Sequence, residues 1–130
     1  MVPRTFQPPP HVALALTDAS SVRTARRAVA ALFVDSPSMD WHADALLVVS
    51  ELVTNALQAS GECHLSAWYD STVNALRVEV IDVSRNMPAI QPTDSTRVGG
   101  HGLRIVEALS SRWGVIDGSD WKAVWFEIDG

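Results

Sequence analysis

Cysteine is almost absent from this sequence, and long apolar runs are absent altogether. The 130 residues include a single cysteine, Cys63, so the chain cannot form an internal disulfide or a cysteine-based zinc site. No run of about 18 apolar residues is present, which argues against a membrane-spanning helix. The proline-rich start, residues 1–10, also lacks the apolar stretch of a signal peptide. These absences predict a soluble, cytoplasmic protein with no membrane partner.

Basic charge is also scarce. Lysine and arginine together number 10, against 15 aspartates and glutamates, and the formal net charge is −5 with a pI near 5.2. Because nucleic-acid binding favours a basic surface, we expect protein or nucleotide partners and no direct contact with nucleic acid.

The composition is otherwise typical of a folded domain, with 47% apolar and 19% charged residues. A chain of this length buries about two-thirds of its unfolded surface without disulfides or metals. The sequence contains no internal repeat and no low-complexity tract. We therefore predict a flexible N-terminal leader at residues 1–10 and one domain over residues 11–130.

The segment Trp41–Ser60 is the most strongly periodic part of the chain and predicts a helix. Its apolar residues share one broad arc, formed by Ala45, Val49, Leu52, Val53 and Ala56. The opposite wedge is polar and contains Asp44, Glu51, Asn55 and Gln58. Glu51 and Asn55 lie one turn apart, roughly 5–6 Å at Cβ, close enough to serve one ligand. By itself the helix fits either a solvated face or one side of a binding site.

The other periodic segments predict a strand, a second helix, two hairpins and a third helix. The strand covers residues 11–16 and the second helix residues 20–34. The first hairpin joins residues 63–69 to residues 76–82, and the third helix covers residues 99–109. The second hairpin turns at residues 117–120 and ends in a last strand through residue 128. This order predicts an α+β fold, a two-layer sandwich with three helices on one face of a mixed, mostly antiparallel sheet. Three arginines of the first helix, Arg23, Arg26 and Arg27, form a basic face that fits either an acidic partner or solvent.

One apolar row ends in a carboxylate. Leu76, Val78, Val80 and Asp82 alternate along the second strand of the first hairpin, so they share the face that is expected to be buried. A buried aspartate needs partners that offset its desolvation. Asp82 therefore either caps local backbone groups or accepts a hydrogen bond from a ligand.

The segment after this strand has no sustained period. Residues 83–99 contain Pro88 and Pro92 and read as a long loop, of the kind that often serves as a lid or a binding loop. Gly99-Gly100-His101-Gly102-Leu103 then opens a helix. Its glycines either let the chain turn or bring backbone N–H groups close to a phosphate.

In this order the motifs resemble those of an ATPase superfamily. It is shared by DNA gyrase, heat-shock chaperones, histidine kinases and mismatch-repair proteins, and has the histidine kinase-like, Bergerat-type ATP-binding fold. ELVTNA at residues 51–56 resembles the N box, VIDVS around Asp82 the first G box, and GHGL at residues 100–103 the second. Within the superfamily the chain is most similar to bacterial anti-sigma-factor serine/threonine kinases (RsbW-like), over residues 12–128.

The resemblance implies roles for individual residues. Asn55 would help to hold Mg²⁺ at the phosphates of ATP, and Glu51 would be the catalytic general base toward a substrate serine. Asp82, with Ser84 beside it in the first G box, would receive the adenine amino group.

The second G box and the loop before it complete the implied site. Gly100 and Gly102, with Leu103 after them, would bring backbone donors to the phosphates. Residues 84–99 would form the ATP lid. Arg85, Arg97 and Lys122 are cations that either reach a phosphate or remain solvated.

Three positions depart from the family pattern. Ser84 stands where a glycine usually follows the aspartate, Ala59 where many relatives have histidine, and Ala123 where we align a hydroxyl residue of the last strand. These departures concern nucleotide affinity more than the fold.

The implied function is that of an anti-sigma factor and ATP-dependent protein serine/threonine kinase. It would phosphorylate an anti-anti-sigma protein, sequester a sigma factor and form a homodimer. The alternative is a non-catalytic regulator that acts by partner sequestration with weak or no ATP binding. A histidine kinase catalytic domain is disfavoured, because no helix with a phosphoacceptor histidine precedes the N box.

Overall fold

The computed structural model describes residues 9–36, 40–82 and 98–129, with the backbone alone for residues 98–102. The elements are β1 (Val12–Leu16), α1 (Ser21–Leu32), α2 (Trp41–Ser60), β2 (Cys63–Asp70), β3 (Ala75–Asp82), α3 (Val98–Leu109), β4 (Arg112–Asp117) and β5 (Lys122–Asp129). The predicted order of strand, two helices, hairpin, helix and hairpin is confirmed. Most of the predicted leader, at residues 1–8, and most of the predicted lid, at residues 84–97, lie outside the described residues.

The five strands form one sheet in the order β1-β2-β3-β5-β4. Each neighbouring pair is antiparallel, so the described strands contain no parallel pair of the kind that a mixed sheet implies. β3 and β4 do run in the same direction, as expected for two strands joined through a helix. However, β5 lies between them and pairs with both.

The three helices cover one face of the sheet, which confirms the predicted two-layer α+β sandwich. α2 lies between α1 and α3 and contacts both. Its buried residues are Trp41, Ala45, Val48, Val49, Leu52, Val53 and Ala56. From the sheet, Leu65, Leu76, Val78 and Phe126 complete the core without measurable exposure. Burying each large apolar side chain stabilises the fold by about 1.5–3 kcal/mol, so α2 is fixed from three sides.

The structure confirms the predicted C-terminal end of α2 but shows no side-chain cap at its start within the described residues. α2 ends at Ser60, as predicted, because Gly61 adopts a left-handed conformation (φ +82°) and donates its N–H to the Leu57 carbonyl at 2.8 Å. The predicted side-chain cap at its start was Ser38 or Asp40. Ser38 lies outside the described residues, and Asp40 is in a helical conformation without a capping hydrogen bond.

α1 ends earlier than predicted, at Leu32. Phe33 leaves the helical region (φ −121°, ψ 21°), and its carbonyl accepts hydrogen bonds from both the N–H and the hydroxyl of Ser36. This turn competes with the last helical turn, while the Phe33 ring packs edge-on against Trp41 at 5.4 Å.

No helix within the described residues is long and apolar enough to cross a membrane.

The sheet face away from the helices carries an ion-pair network. Glu127 is only 1% exposed, and its two oxygens each receive a hydrogen bond at 2.8 Å, from Arg77 Nη1 and Arg112 Nε. Arg77 also lies over the ring of Trp125, 4.4 Å from the centroid. These side chains tie β3, β5 and β4 together on the outer face.

Candidate functional site

α2 presents Asn55 toward the protein interior. The residue is half-buried, and its Oδ1 atom is buried without a hydrogen-bond partner in the part of the chain that the structure describes. A buried carbonyl oxygen without a partner costs about 1–3 kcal/mol. An incoming donor or cation would recover this energy, so the side chain differs from that of an ordinary solvated helix face.

The polar wedge of α2 is not uniform. Gln58 is exposed, whereas Asp44, Glu51 and Asn55 are half-buried. Glu51 lies one turn before Asn55 on the same side of the helix, as the spacing predicts. Gln58 thus lies in solvent, whereas Glu51 and Asn55, the two polar residues of the predicted N box, are half-buried.

Asp82 ends the buried row of β3, as predicted. Leu76 and Val78 are fully buried, Val80 is nearly so, and Asp82 is 6% exposed. Its Cα partner on the neighbouring strand β5 is Lys122. The Lys122 ammonium Nζ lies 3.8 Å from Asp82 Oδ1, and Lys122 is 4% exposed.

Lys122 is one of the cations whose role the sequence left open, and the structure places it in the candidate site. The signal was present, because alternation along β5 places Lys122 in one row with Val124, Phe126 and Ile128. The alternation does not predict the partner of Lys122, because its pairing with Asp82 depends on β5 lying beside β3.

The register also corrects the expectation for Ala123. Ala123 pairs with Ile81, so it points to the opposite face from Asp82 and cannot be the residue beside the carboxylate on the helix-covered face. Lys122 occupies that position. A shift of one residue along a strand exchanges the two faces of the sheet, which is why Lys122 and not Ala123 lies beside Asp82.

The pKa of Cys63, at the start of β2, is affected by burial and by the negative charge of Asp82. Burial, and secondarily the negative charge of Asp82, raise the pKa of the Cys63 thiol to about 11. The thiol is 1% exposed. This end of the sheet thus combines low solvent access with a carboxylate and an ammonium.

The glycines of the second G box lie inside α3 rather than before it. The helix begins at Val98, so Gly100 belongs to the first turn, where backbone N–H groups have no partner within the helix and attract anions. Gly102 lies in the second turn, and Leu103 is 3% exposed in the hydrophobic core. Contact of these residues with phosphates stays a prediction, and Ser84 lies outside the described residues.

The donor set fits a magnesium nucleotide better than a metal held by protein alone. In the described ranges, no group of three or more His, Cys, Asp and Glu side chains is arranged to hold a metal ion. Mg²⁺ prefers oxygen ligands and usually takes only one or two from protein, with phosphates and waters supplying the rest. The buried, unpaired Asn55 Oδ1 is an oxygen of this kind.

The fold is similar to that of several solved structures. The RsbU and RsbW domains of Rv1364c from Mycobacterium tuberculosis match with a TM-score of 0.65 and 20% identity, over 92% of this chain and 33% of that one. The SiaB-SiaC complex from Pseudomonas aeruginosa matches with a TM-score of 0.62 and 10% identity, over 92% and 89% of the two chains. The nucleotide-free catalytic domain of histidine kinase ThkA matches with a TM-score of 0.54 and 18% identity, over 91% and 95%.

The protein therefore shares its fold with these three structures. It spans about a third of the Rv1364c chain. No protein-family model matches the sequence, and no curated protein matches it significantly. At these identities the likeness establishes the architecture, and function has to be argued from the site.

Proposed function

We propose that this protein is an ATP-binding anti-sigma factor and protein serine/threonine kinase. It phosphorylates a serine of an anti-anti-sigma protein and sequesters a sigma factor. The observation that carries the proposal is the buried amide oxygen of Asn55, which has no partner among the described residues. It lies on the helix that packs against α3, whose first turn holds Gly100.

Asn55 would hold the magnesium ion that accompanies the nucleotide. Bound ATP with Mg²⁺ supplies the phosphoryl group to be transferred. The Asn55 oxygen is already desolvated, so little hydration energy is lost when it becomes a ligand. The N–H groups of the first turn of α3, that of Gly100 among them, would hold phosphate oxygens.

Glu51 would act on the protein substrate rather than on the nucleotide. A carboxylate one turn from Asn55 is placed to accept the proton of the attacking serine hydroxyl, once the substrate brings that hydroxyl within hydrogen-bonding distance. Catalysis of phosphoryl transfer consists mainly of such positioning and of charge stabilisation. Asp82 would receive the amino group of adenine at the buried end of β3.

Partner exchange is the proposed output. Two of the structural neighbours are described as RsbU and RsbW domains and as a SiaB-SiaC complex, which favours a regulator that works by binding other proteins. We extend this to a cytoplasmic homodimer whose sigma factor is released when the anti-anti-sigma protein is bound.

A non-catalytic regulator is the second candidate. Ala123 stands where many relatives have a hydroxyl residue, and Lys122 lies beside Asp82. An ammonium at this place changes the hydrogen bonds that the site offers to a nucleotide base. This candidate retains partner sequestration without phosphorylation.

A phosphotransfer assay separates the two. The protein is incubated with labelled ATP, Mg²⁺ and candidate anti-anti-sigma proteins, and compared with Glu51→Gln, Asn55→Ala and the exposed control Gln58→Ala. A kinase labels the serine of one partner. Glu51→Gln then loses at least about 100-fold in rate while still binding ATP, as expected for a general base, and Asn55→Ala loses nucleotide binding as well.

The rival outcome is equally specific. If the wild type binds a sigma factor but transfers phosphate to none of the partners that it binds, the kinase assignment is rejected and the non-catalytic regulator is retained. Gln58→Ala should behave as wild type in both cases, because its side chain is in solvent.

A further inference from the structure

Lys122 is the only lysine of the chain; the other basic residues are arginines. It is also only 4% exposed. Lysines are rarely buried to this degree unless they are paired, and Asp82 is the partner here. Its Cα partners on either side are Asp82 on β3 and Asp117 on β4. The ammonium thus belongs to a row of alternating charges across the end of the sheet.

The Asp82–Lys122 pair differs from a purely structural ion pair. Its charged atoms lie 3.8 Å apart, which is beyond hydrogen-bonding distance. The ammonium carries three donors that rotate on a flexible stem. The arginines on the outer face of the sheet, by contrast, donate directly to Glu127 at 2.8 Å.

The pair changes which purine the base subsite accepts. A lone carboxylate accepts a hydrogen bond from the 6-amino group of adenine and repels the 6-oxo group of guanine. A carboxylate beside an ammonium presents an acceptor next to a donor. The guanine O6 can then accept from the ammonium while the ring N1–H donates to the carboxylate, so the repulsion is removed.

We propose that Lys122, paired with Asp82, relaxes the base preference of this site so that guanine nucleotides bind alongside adenine nucleotides. The inference rests on the proposed function, in which Asp82 faces the base. Lys122 is then a determinant of specificity and takes no part in phosphoryl transfer.

The test compares the affinities of ATP, GTP and ITP by calorimetry with Mg²⁺, at about pH 8, where an aspartate is ionised. For the wild type we expect the three Kd values to agree within about tenfold, since each 6-substituent finds a partner. Lys122→Met should weaken GTP and ITP relative to ATP by at least about tenfold, because O6 then faces the carboxylate alone. Lys122→Arg keeps a donor and should restore the wild-type ratio, and the exposed Arg23→Met controls for loss of a positive charge.

A second measurement needs no variant and remains decisive if Lys122→Met does not fold. Purine riboside triphosphate lacks a 6-substituent. In the wild type, ATP and ITP should both bind more tightly than this analogue. If Asp82 acted alone, ATP would gain affinity over the analogue and ITP would lose it.

The two levels of the proposal fail separately. If the wild type binds ATP, rejects GTP and ITP by more than about 100-fold, and keeps that ratio in Lys122→Met, the role of Lys122 is wrong and the ATP site stands. If the wild type binds no nucleotide at concentrations where its fold is intact by circular dichroism, both the nucleotide site and the inference are rejected.

Discussion

Two carboxylates are buried in this sheet, and they are held in different ways. Glu127 lies on the outer face, where two arginines donate to its two oxygens at 2.8 Å. Asp82 lies on the helix-covered face at the end of its strand, where a lysine approaches only to 3.8 Å. The first arrangement uses both oxygens of the carboxylate within the protein and joins three strands. The second keeps a charge buried at the end of the sheet, where we propose that a nucleotide base binds.

We expect Glu127 to contribute to stability and Asp82 to contribute to ligand binding. Glu127 is 1% exposed and both of its oxygens accept short hydrogen bonds from guanidinium groups, so it is closed to a ligand. An ammonium close to a buried carboxylate favours the charged form of the carboxylate, and we propose that Asp82 meets an incoming donor. Substitutions at the two sites should therefore affect different measurements.

The largest effect is expected at Glu127. Glu127→Ala removes the buried carboxylate that Arg77 and Arg112 share, while Arg77, whose side chain is 11% exposed, keeps its ion pair with Glu79 at 2.8 Å. Breaking a buried pair costs about 3–5 kcal/mol, and the remaining pair with Glu79 places the expected loss toward the lower end of this range. Urea denaturation should show a lower free energy of unfolding, while the exposed Glu62→Ala changes it little. A loss below about 1 kcal/mol would mean that the network behaves as a surface salt bridge.

Asp82→Asn should give the converse result. The amide retains an acceptor but loses the charge, so we expect the Kd for ATP to rise by about 10- to 100-fold, with a smaller loss of stability than in Glu127→Ala. Calorimetric titration and urea denaturation of the same preparation measure both quantities. Unchanged ATP affinity in a folded Asp82→Asn protein would remove Asp82 from the base subsite.

Arg112→Met should have an intermediate effect on stability. Arg112 donates to Glu127 at 2.8 Å and to Asp129 at 2.6 Å, but its side chain is 26% exposed, so solvent screens part of the interaction. We expect a loss of about 1–2 kcal/mol and unchanged ATP affinity. Arg104→Met, at an exposed position of α3, is the matched control, and an equal loss in both variants would contradict the role of the network.

The smallest effect concerns the Cys63 thiol, which senses Asp82. Its pKa is raised to about 11, so the native thiol should react slowly with iodoacetamide until the pH approaches that value. Because the folded state holds this proton more tightly than the unfolded state, stability should fall as the pH rises from the ordinary thiol value through about 11.

Asp82→Asn supplies the control for the thiol. It should lower the pKa of Cys63 partway toward the ordinary value, since burial remains after the negative charge is gone. A titration that does not move would show that the charge of Asp82 does not reach the thiol.

Local signals in the sequence predicted most of the fold. α2 was predicted to the residue because a long apolar period ends at Gly61, where a left-handed glycine terminates the helix. The buried row that ends at Asp82 followed from alternation alone. The predicted C-terminal end of α1 was two residues too late. The competing turn at Phe33 depends on hydrogen bonds from Ser36, which helical periodicity does not predict.

The sequence names the candidate site residues, whereas their contacts come from the structure. Glu51, Asn55 and Asp82 follow from spacing and from the resemblance of their motifs. The burial of the Asn55 oxygen depends on the packing around α2, and the partner of Lys122 depends on strand order. Neither is encoded in a local pattern, since β5 meets β3 across about 40 residues of intervening chain.

The position of β5 has a consequence for how this protein is made. β5 follows the other described elements along the chain, yet it lies inside the sheet and supplies Lys122 and Glu127 to the two buried ion pairs. During synthesis β3 and β4 leave the ribosome without the strand that separates them, and each presents an open edge until β5 arrives. The sheet should therefore assemble late and cooperatively. A ribosome-bound chain that stops before Lys122 should be open to proteases, whereas a released chain that includes Asp129 should resist them.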